Sequence, residues 1–293
     1  MHVQVLASGS GGNATLVRAG ETTILVDAGL GPRALSERLA AAGVGPRGLD
    51  HIVVTHGHLD HSRSAGILAK RHGATLHCAE SYMSHPAFSR SERFSALPIG
   101  GRTELAAPDD AEPVVLDAVA LPHDCDPTVA LRLEHDGEVC VVLTDMGEPR
   151  LEIARQLQGA QLLVLEFNYD PEMLAAGPYP LPLRRRIAGG RGHLSNEQSM
   201  RMLEWLAGDD LATLILAHLS ATNNTPQQAE GRAQEVLMRL GLHDTVALIA
   251  EQDTIGPNLA VRSSGLDAFI PFPTPPVEER RIGARRDGRR LGR

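Results

Sequence analysis

Residues 55–61 read THGHLDH, three histidines and an aspartate within seven positions. His56 and His58 are two apart, which keeps them off a shared helical face, where neighbours lie three or four apart. Before them, LDHIVV is apolar, β-branched and bounded by turn residues, the pattern of a short buried strand. After them, SAGILAKRHG has helical spacing, with Gly73 as its stop. The cluster is therefore expected on a loop between a strand end and a helix start, where imidazoles and a carboxylate can turn toward one point. That donor set suits zinc, manganese or iron. The plain alternative is a polar loop that happens to be rich in histidine.

If the loop holds metal, further ligands are expected where later apolar strands end. His123 follows VALP, Asp145 closes VCVVLT and His218 closes TLILA. A rigid sheet can present such residues at a shared edge, although an aspartate or histidine after a strand is often only a turn residue.

A second concentration of chemistry lies at LRRRIAGGRGH, residues 183–193, where Arg184, Arg185, Arg186 and Arg191 occur without an acid and lead to His193. In GHLSNEQS, Ser195 and Gln198 form a capping box for the helix NEQSMRMLEWLA. Exposed amides and the positive end of that helix would sit beside His193. Amides, guanidinium groups and an imidazole together suit a phosphate ester; the alternative is a capped helix preceded by a surface histidine. The glycine-rich SGSGGN lacks the Lys-Ser/Thr ending of a phosphate loop and leads into a strand. A turn that brings backbone close to the site is expected there, with Ser10 and Asn13 lining the pocket.

The elements that must position these residues fall into two batches. HVQVLA, ATLVRA and TTILVDA are early strands, and RALSERLAAA is a helix stopped by Gly43. After the metal loop come the strands PVVLDAVALP, TVALRLEH, EVCVVLTD and QLLVLEF, with Asp136-Gly137 as a hairpin signal. Helices are expected at 148–157, 196–207 and 226–240, and strands at 212–217 and 246–251. Two batches of strands with helices outside suggest two sheets packed face to face and covered by helices.

Composition bounds the function. The chain has 293 residues and 42% hydrophobic content, enough for a sizeable core. It has no apolar run long enough for a membrane span and no signal-peptide pattern at MHVQVLASGSGG. Cys78, Cys125 and Cys140 are odd in number and lack CxxC spacing, which fits a reducing cytoplasm. The net charge is −8, against general coating of nucleic acid, yet Glu278–Arg293 carries +4 and leaves −12 on the rest. Residues 263–293 are rich in proline and arginine and are expected to be a loosely attached tail that adds electrostatic affinity for nucleic acid. Residues 1–262 are expected to form the catalytic domain.

At the HxHxDH loop with His, Asp and His at later strand ends, the chain resembles the metallo-β-lactamase-fold hydrolases. LASGSGGN, VDAG, EFNYD, GHLSN and HLSATNN narrow the resemblance to the YycJ (also called WalJ) branch over roughly residues 3 to 262. The resemblance implies an αββα four-layer sandwich, one or two metal ions between the sheets, and phosphodiesterase chemistry, with 5′-to-3′ DNA exonuclease activity ascribed to the branch. By position, His56, His58 and His123 would bind the first metal, and Asp60, His61 and His218 the second, with Asp145 bridging. Asp27 of VDAG would orient the metal loop, or simply close a strand. Ser195, Asn196, Asn223 and Asn224 join the arginines, Ser10 and Asn13 as expected substrate contacts. The branch also has Glu166, Asn168 and Asp170; Asp170, ahead of Pro171, reads as a helix cap.

The implied reaction is two-metal hydrolysis with Zn²⁺ or Mn²⁺, iron being the third option. A shared water, deprotonated near neutrality, attacks phosphorus. His193 would protonate the leaving oxygen, and Asp60 could instead guide the water proton. The expected partner is nucleic acid, DNA rather than RNA, with no membrane and an open oligomeric state. Three rivals stand beside this reading. One is another hydrolase of the fold acting on a thioester, lactone, cyclic nucleotide or precursor tRNA. Another is an iron oxidoreductase, although di-iron members carry Glu where this chain has His58. The last is a non-catalytic module, which would tolerate loss of ligands.

Overall fold

The computed structural model describes residues 1–108 and 111–262; the Pro/Arg-rich tail expected from 263 lies outside the described residues. In chain order the strands and helices are β1 (His2–Ala7), β2 (Ala14–Ala19), β3 (Thr22–Val26), α1 (Pro32–Ala41), β4 (His51–Val53), α2 (Leu59–Ser62), α3 (Ala65–His72), β5 (Thr75–Cys78), β6 (Phe94–Ala96), β7 (Arg102–Leu105), β8 (Val114–Leu121), β9 (Thr128–His135) and β10 (Glu138–Leu143). They continue with α4 (Leu151–Gln156), β11 (Leu162–Glu166), α5 (Pro171–Ala176), α6 (Leu181–Ile187), α7 (Asn196–Leu206), β12 (Thr213–Ala217), α8 (Pro226–Arg239), β13 (Val246–Ile249) and β14 (Leu259–Ala260).

Two seven-stranded sheets result, ordered β14-β1-β2-β3-β4-β5-β6 and β13-β12-β11-β10-β9-β8-β7. Their inner faces meet in one apolar layer: Val5, Val17 and Ile24 from the first sheet, and Leu116, Leu131, Val142, Val164 and Ile215 from the second. Alternate residues of the same strands face outward and bury a helix stripe. Leu35, Leu39 and Leu68 cover the first sheet. Ile153, Met202, Leu206 and Val236 cover the second. This is the expected αββα order, and the period-2 and period-3.6 patterns that produce it are the physical reason it is readable.

Strand direction places the chemistry. β3 and β4 run parallel, as do β10, β11 and β12. Their carboxyl ends therefore share an edge within each sheet, where open α/β sheets present ligand-binding loops. No helix among the described residues is long and apolar enough to cross a membrane. The short strands β5, β6, β7 and β14 and the helix α6 were not expected from sequence, whereas α5 begins at Pro171 behind the expected cap Asp170. β6 has only three residues and β14 only two, too few for a periodic signal.

Candidate metal centre

The metal loop leaves β4 at Val53 and already turns helical at Leu59, so Asp60 and His61 stand on the first turn of α2 rather than on open loop. Three residues that close strands, Asp27, Asp145 and His218, have φ of 60°, 64° and 56°. This left-handed backbone is uncommon outside glycine, though Asp and His tolerate it better than most residues. Such conformations persist where surrounding structure enforces them, and they concentrate at functional sites.

The seven expected ligands converge. His56, His58 and His123 bring one donor atom each within 4.8 Å of one another, and so do Asp60, His61 and His218. Asp145 lies between the two groups. Its Oδ2 is 3.0 Å from His61 Nε2, and its Oδ1 is 3.6 Å from His218 Nε2 and 3.9 Å from His123 Nε2.

Two observations test whether these residues fit metal. First, His56 Nε2, His218 Nε2 and Asp145 Oδ2 are buried without a hydrogen-bond partner. Three orphaned polar atoms in one place are costly unless a ligand satisfies them. Second, the carboxylates draw protons onto the imidazoles. Burial works to lower His218, yet Asp145, Asp60 and Glu166 raise it to about 10. His61 is likewise lifted well above its usual range by Asp145 and Asp27 despite complete burial. The acidic surroundings thus demand positive charge, which divalent cations bound to neutral imidazoles supply. The donors fit two such ions.

Supporting groups fix the ligand rings. Asp27 accepts hydrogen bonds from Thr55 N at 2.8 Å, Thr55 Oγ1 at 3.0 Å and His61 Nδ1 at 2.7 Å. His123 Nδ1 donates to Gly192 O at 2.9 Å. Glycine is required at Gly192, because a Cβ there would lie 2.1 Å from Ile187 O. Gly29 of VDAG has the same logic more severely, with Asp60 O 1.6 Å from a notional Cβ. Asn13 does not project into open space. It is buried, and its Nδ2 lies 3.1 Å from Gly9 O and 3.0 Å from His61 Nε2, bracing the metal loop.

A cavity of about 470 Å³ opens over the cluster, lined among others by Ser10, Asp60, Asp124, Arg186, His193 and His218. His193 Nδ1 donates to Glu166 Oε1 at 2.8 Å. Glu166 is fully buried, and its Oε2 accepts from Met146 N at 3.0 Å. Burial pushes His193 down, but Glu166 and Asp145 prevail and raise it above its ordinary value of 6.5.

Several expected substrate residues stand elsewhere. Of the four arginines, Arg186 lines the cavity, while Arg184 and Arg185 face a separate apolar groove with Leu174 and Leu181 across α6. Arg191 donates through Nε to His123 O at 2.7 Å, a brace for a ligand's backbone. Asn196 and Asn224 are buried and exchange side-chain hydrogen bonds at 3.0 and 2.9 Å. Asn223 is also buried and reaches Ser220. Four of the amides around the start of α7, those of Leu194, Ser195, Asn196 and Gln198, are occupied as well. The capping box is present, using the amides of Ser195 and Gln198. Leu194 N bonds Glu166 Oε2 and Asn196 N bonds Tyr169 O. Ser195, Asn196, Asn223 and Asn224 therefore join elements together. Asp170 caps α5 as expected, accepting from Glu172 N and Met173 N. Sequence reasoning gave no role to Glu166 and overlooked Asp124; the position of Asp124 directly after His123 was the available signal.

Residues 7–218 match the metallo-β-lactamase superfamily. Among curated proteins, the chain is 28% identical over 255 residues to the exodeoxyribonuclease YycJ of Bacillus anthracis, covering 84% of this chain and 95% of that one. It is 30% identical over 234 residues to the exodeoxyribonuclease WalJ of Streptococcus pneumoniae, covering 77% and 84%. Among solved structures, the metallo-β-lactamase fold protein YhfI of Bacillus subtilis aligns with a TM-score of 0.64 at 16% identity, covering 87% of this chain and 98% of that one. Zn²⁺-bound PqqB of Methylobacterium extorquens aligns with a TM-score of 0.65 at 14% identity, covering 89% and 100%. With sheets, donor cluster and sequence relationships in agreement, the chain belongs to the metallo-β-lactamase superfamily of metal-dependent hydrolases, as a YycJ-like member.

Proposed function

We propose that the protein is a phosphodiesterase that degrades DNA from the 5′ end. The observation that carries this reading is the meeting of the seven-donor cluster, His193 and Arg186 around one cavity. His56, His58, His123, Asp60, His61, His218 and Asp145 would hold two divalent ions, Zn²⁺ or Mn²⁺ by donor type. Such a pair acidifies water and offsets charge on phosphoryl oxygens.

The chain's own residues supply the rest. Arg186 presents a guanidinium to the cavity wall, suited to a non-bridging phosphate oxygen. Glu166 holds His193 by Nδ1, so that Nε2 is the nitrogen left for the cavity, and its electrostatics favour the protonated ring. That ring is placed to donate a proton to the leaving oxygen of a phosphodiester. Asp60 also borders the cavity, where it can receive a proton from attacking water. Deoxyribonucleic acid is favoured by the names of both curated relatives. The 5′-to-3′ polarity rests on the activity ascribed to the YycJ branch.

The test is digestion of end-labelled single- and double-stranded DNA and RNA with Zn²⁺, Mn²⁺ or Mg²⁺. Stepwise release starting from a 5′ label on DNA is expected. Initial release of a 3′ label would reverse the polarity. Turnover confined to RNA or to cyclic nucleotides would replace the substrate class.

A further inference from the structure

Among the histidines of the donor cluster, His58 is the least enclosed: its side chain is 33% exposed, whereas those of His61, His123 and His218 are 0–2% exposed. The other rings are fixed by a buried partner on the nitrogen away from the cluster. The partner of His58 is Asp124. Asp124 Oδ1 lies 3.4 Å from His58 Nε2, while His58 Nδ1 lies 3.4 Å from His123 Nε2 and so faces the cluster. Asp124 Oδ2 accepts from Arg186 Nε at 2.5 Å. One carboxylate thus touches a ring of the metal loop and the guanidinium that α6 presents to the cavity.

We propose that Asp124 is a positioning residue that sets His58 for metal binding and holds Arg186 for phosphate. An acceptor at Nε2 keeps the proton on that nitrogen and leaves the Nδ1 lone pair for the ion, the arrangement by which outer carboxylates raise metal affinity. The printed contact with Asp124 runs through Nε, so the Nη groups of Arg186, which lines the cavity, remain to meet a phosphate. The other nearby ring, His123, already donates through Nδ1 to Gly192 O, so its Nε2 carries a lone pair and gives Asp124 no proton. The carboxylate therefore acts on the first metal group through His58. The metal limb of this proposal stands on its own, and the Arg186 limb rests on the phosphodiesterase reading.

Zinc-loaded full-length protein is titrated with a chromophoric chelator, and KM is measured on a 5′-labelled oligonucleotide. Asp124→Ala is expected to weaken one zinc equivalent by roughly 10–100-fold, the range for loss of such a partner. Asp124→Asn is expected to lose less, because the amide oxygen keeps an acceptor facing His58 Nε2. Arg186→Ala is expected to retain zinc affinity and raise KM roughly 10-fold or more, as for loss of a charge-assisted hydrogen bond. Wild-type zinc affinity in Asp124→Asn together with a lowered metal-free melting temperature in Asp124→Ala would make Asp124 a purely structural residue and overturn the proposal. So would wild-type affinity in both variants, or an equal zinc loss in Arg186→Ala. Failure of the nuclease reading appears separately, as absence of oligonucleotide turnover in wild type with the zinc pattern intact.

Discussion

On the inner side of the cluster, His61 is completely buried and Asp27 holds it at 2.7 Å while also taking two hydrogen bonds from Thr55. On the outer side, His58 is a third exposed and faces a carboxylate at 3.4 Å that is itself shared with Arg186. The inner half is held by the ends of β3 and β4 in the first sheet and of β10 and β12 in the second. The outer half borders the cavity and touches the helix expected to meet substrate. Enclosure is thus greatest where charge is densest, and exposure is greatest where a ligand must enter. Pre-organised donors in a dry site lose little on reorganisation, and this is where electrostatic support is strongest.

His193 sharpens that contrast, because its support comes from the inner side. Glu166, which holds it, also lies 3.5 Å from His218 Nδ1. His193→Ala is expected to keep metal content and fold, since His193 is surplus to the seven donors, and to lower kcat on DNA by roughly 10²–10⁴-fold, the range for a positioned acid. A nitrophenyl phosphodiester needs little protonation of its leaving group, so the loss there should shrink. Equal losses on both substrates would assign His193 to phosphate positioning. Unchanged activity on DNA would remove it from the chemistry.

Asp27 is the place to break the inner half directly. Asp27→Ala leaves the buried Thr55 amide and His61 without their acceptor. The expected cost is about 3 kcal/mol of stability, in the range for breaking a buried charged pair, and up to ~100-fold in metal affinity. Denaturant unfolding and elemental analysis measure the two effects. A variant that kept both would show that the inner ligands need no brace and that the two halves do not differ as described.

Much of this arrangement was readable before the structure because periodicity and ligand chemistry are local signals. HVQVLA and ATLVRA became β1 and β2 with the same bounds, and the Ser195–Gln198 box caps α7. The seven side chains that converge were picked out because each is a strong ligand type at a motif or strand end. The supporting layer was less legible. Asp124 sits in a loop without period, and its two partners lie 62 and 66 positions away in the sequence. Helix α6 was hidden by Pro180 and Pro182, although proline is compatible with a first helical turn. Reading its arginines as one patch ignored that Arg184 and Arg186 project from different faces of a helix. Asn196 and Asn224 look alike in sequence whether they grip a ligand or each other, and only burial distinguishes the two.

Away from the cluster, a second histidine pair shows how differently burial acts without carboxylates. His51 Nδ1 and His77 Nε2 are 2.9 Å apart, and His51 Nε2 donates to Ala106 O at 2.9 Å. Burial, with a lesser contribution from His51, lowers His77 from its ordinary value of 6.5 to about 4. Above the ordinary value both folded and unfolded chains carry a neutral ring. As pH falls through the window between, the unfolded chain takes up a proton that the folded chain refuses, so stability declines. The slope approaches about 1.4 kcal/mol per pH unit and the total about 3 kcal/mol, flattening below the folded value. Denaturant unfolding of wild type and His77→Leu should show a stability difference that varies with pH across this window and becomes constant above it. A difference that stays constant across the window would mean that His77 does not resist protonation in the fold.

The smallest effect tests whether α7 begins in a cap or in a substrate site. Ser195 Oγ accepts from Gln198 N at 3.2 Å, and Gln198 Oε1 accepts from Ser195 N at 2.9 Å. With both groups engaged and Ser195 buried, its hydroxyl has no access to a phosphate in the cavity. Ser195→Ala should therefore cost about 1 kcal/mol of stability, as for loss of a helix N-cap. KM for oligonucleotides should stay at the wild-type value, because Arg186 and the metal donors are untouched. Gln198→Ala should behave in the same way, since it breaks the other limb of the box. A raised KM in Ser195→Ala at unchanged stability would return the start of α7 to the substrate site. It would also extend the more exposed outer half of the centre beyond α6 to this second helix.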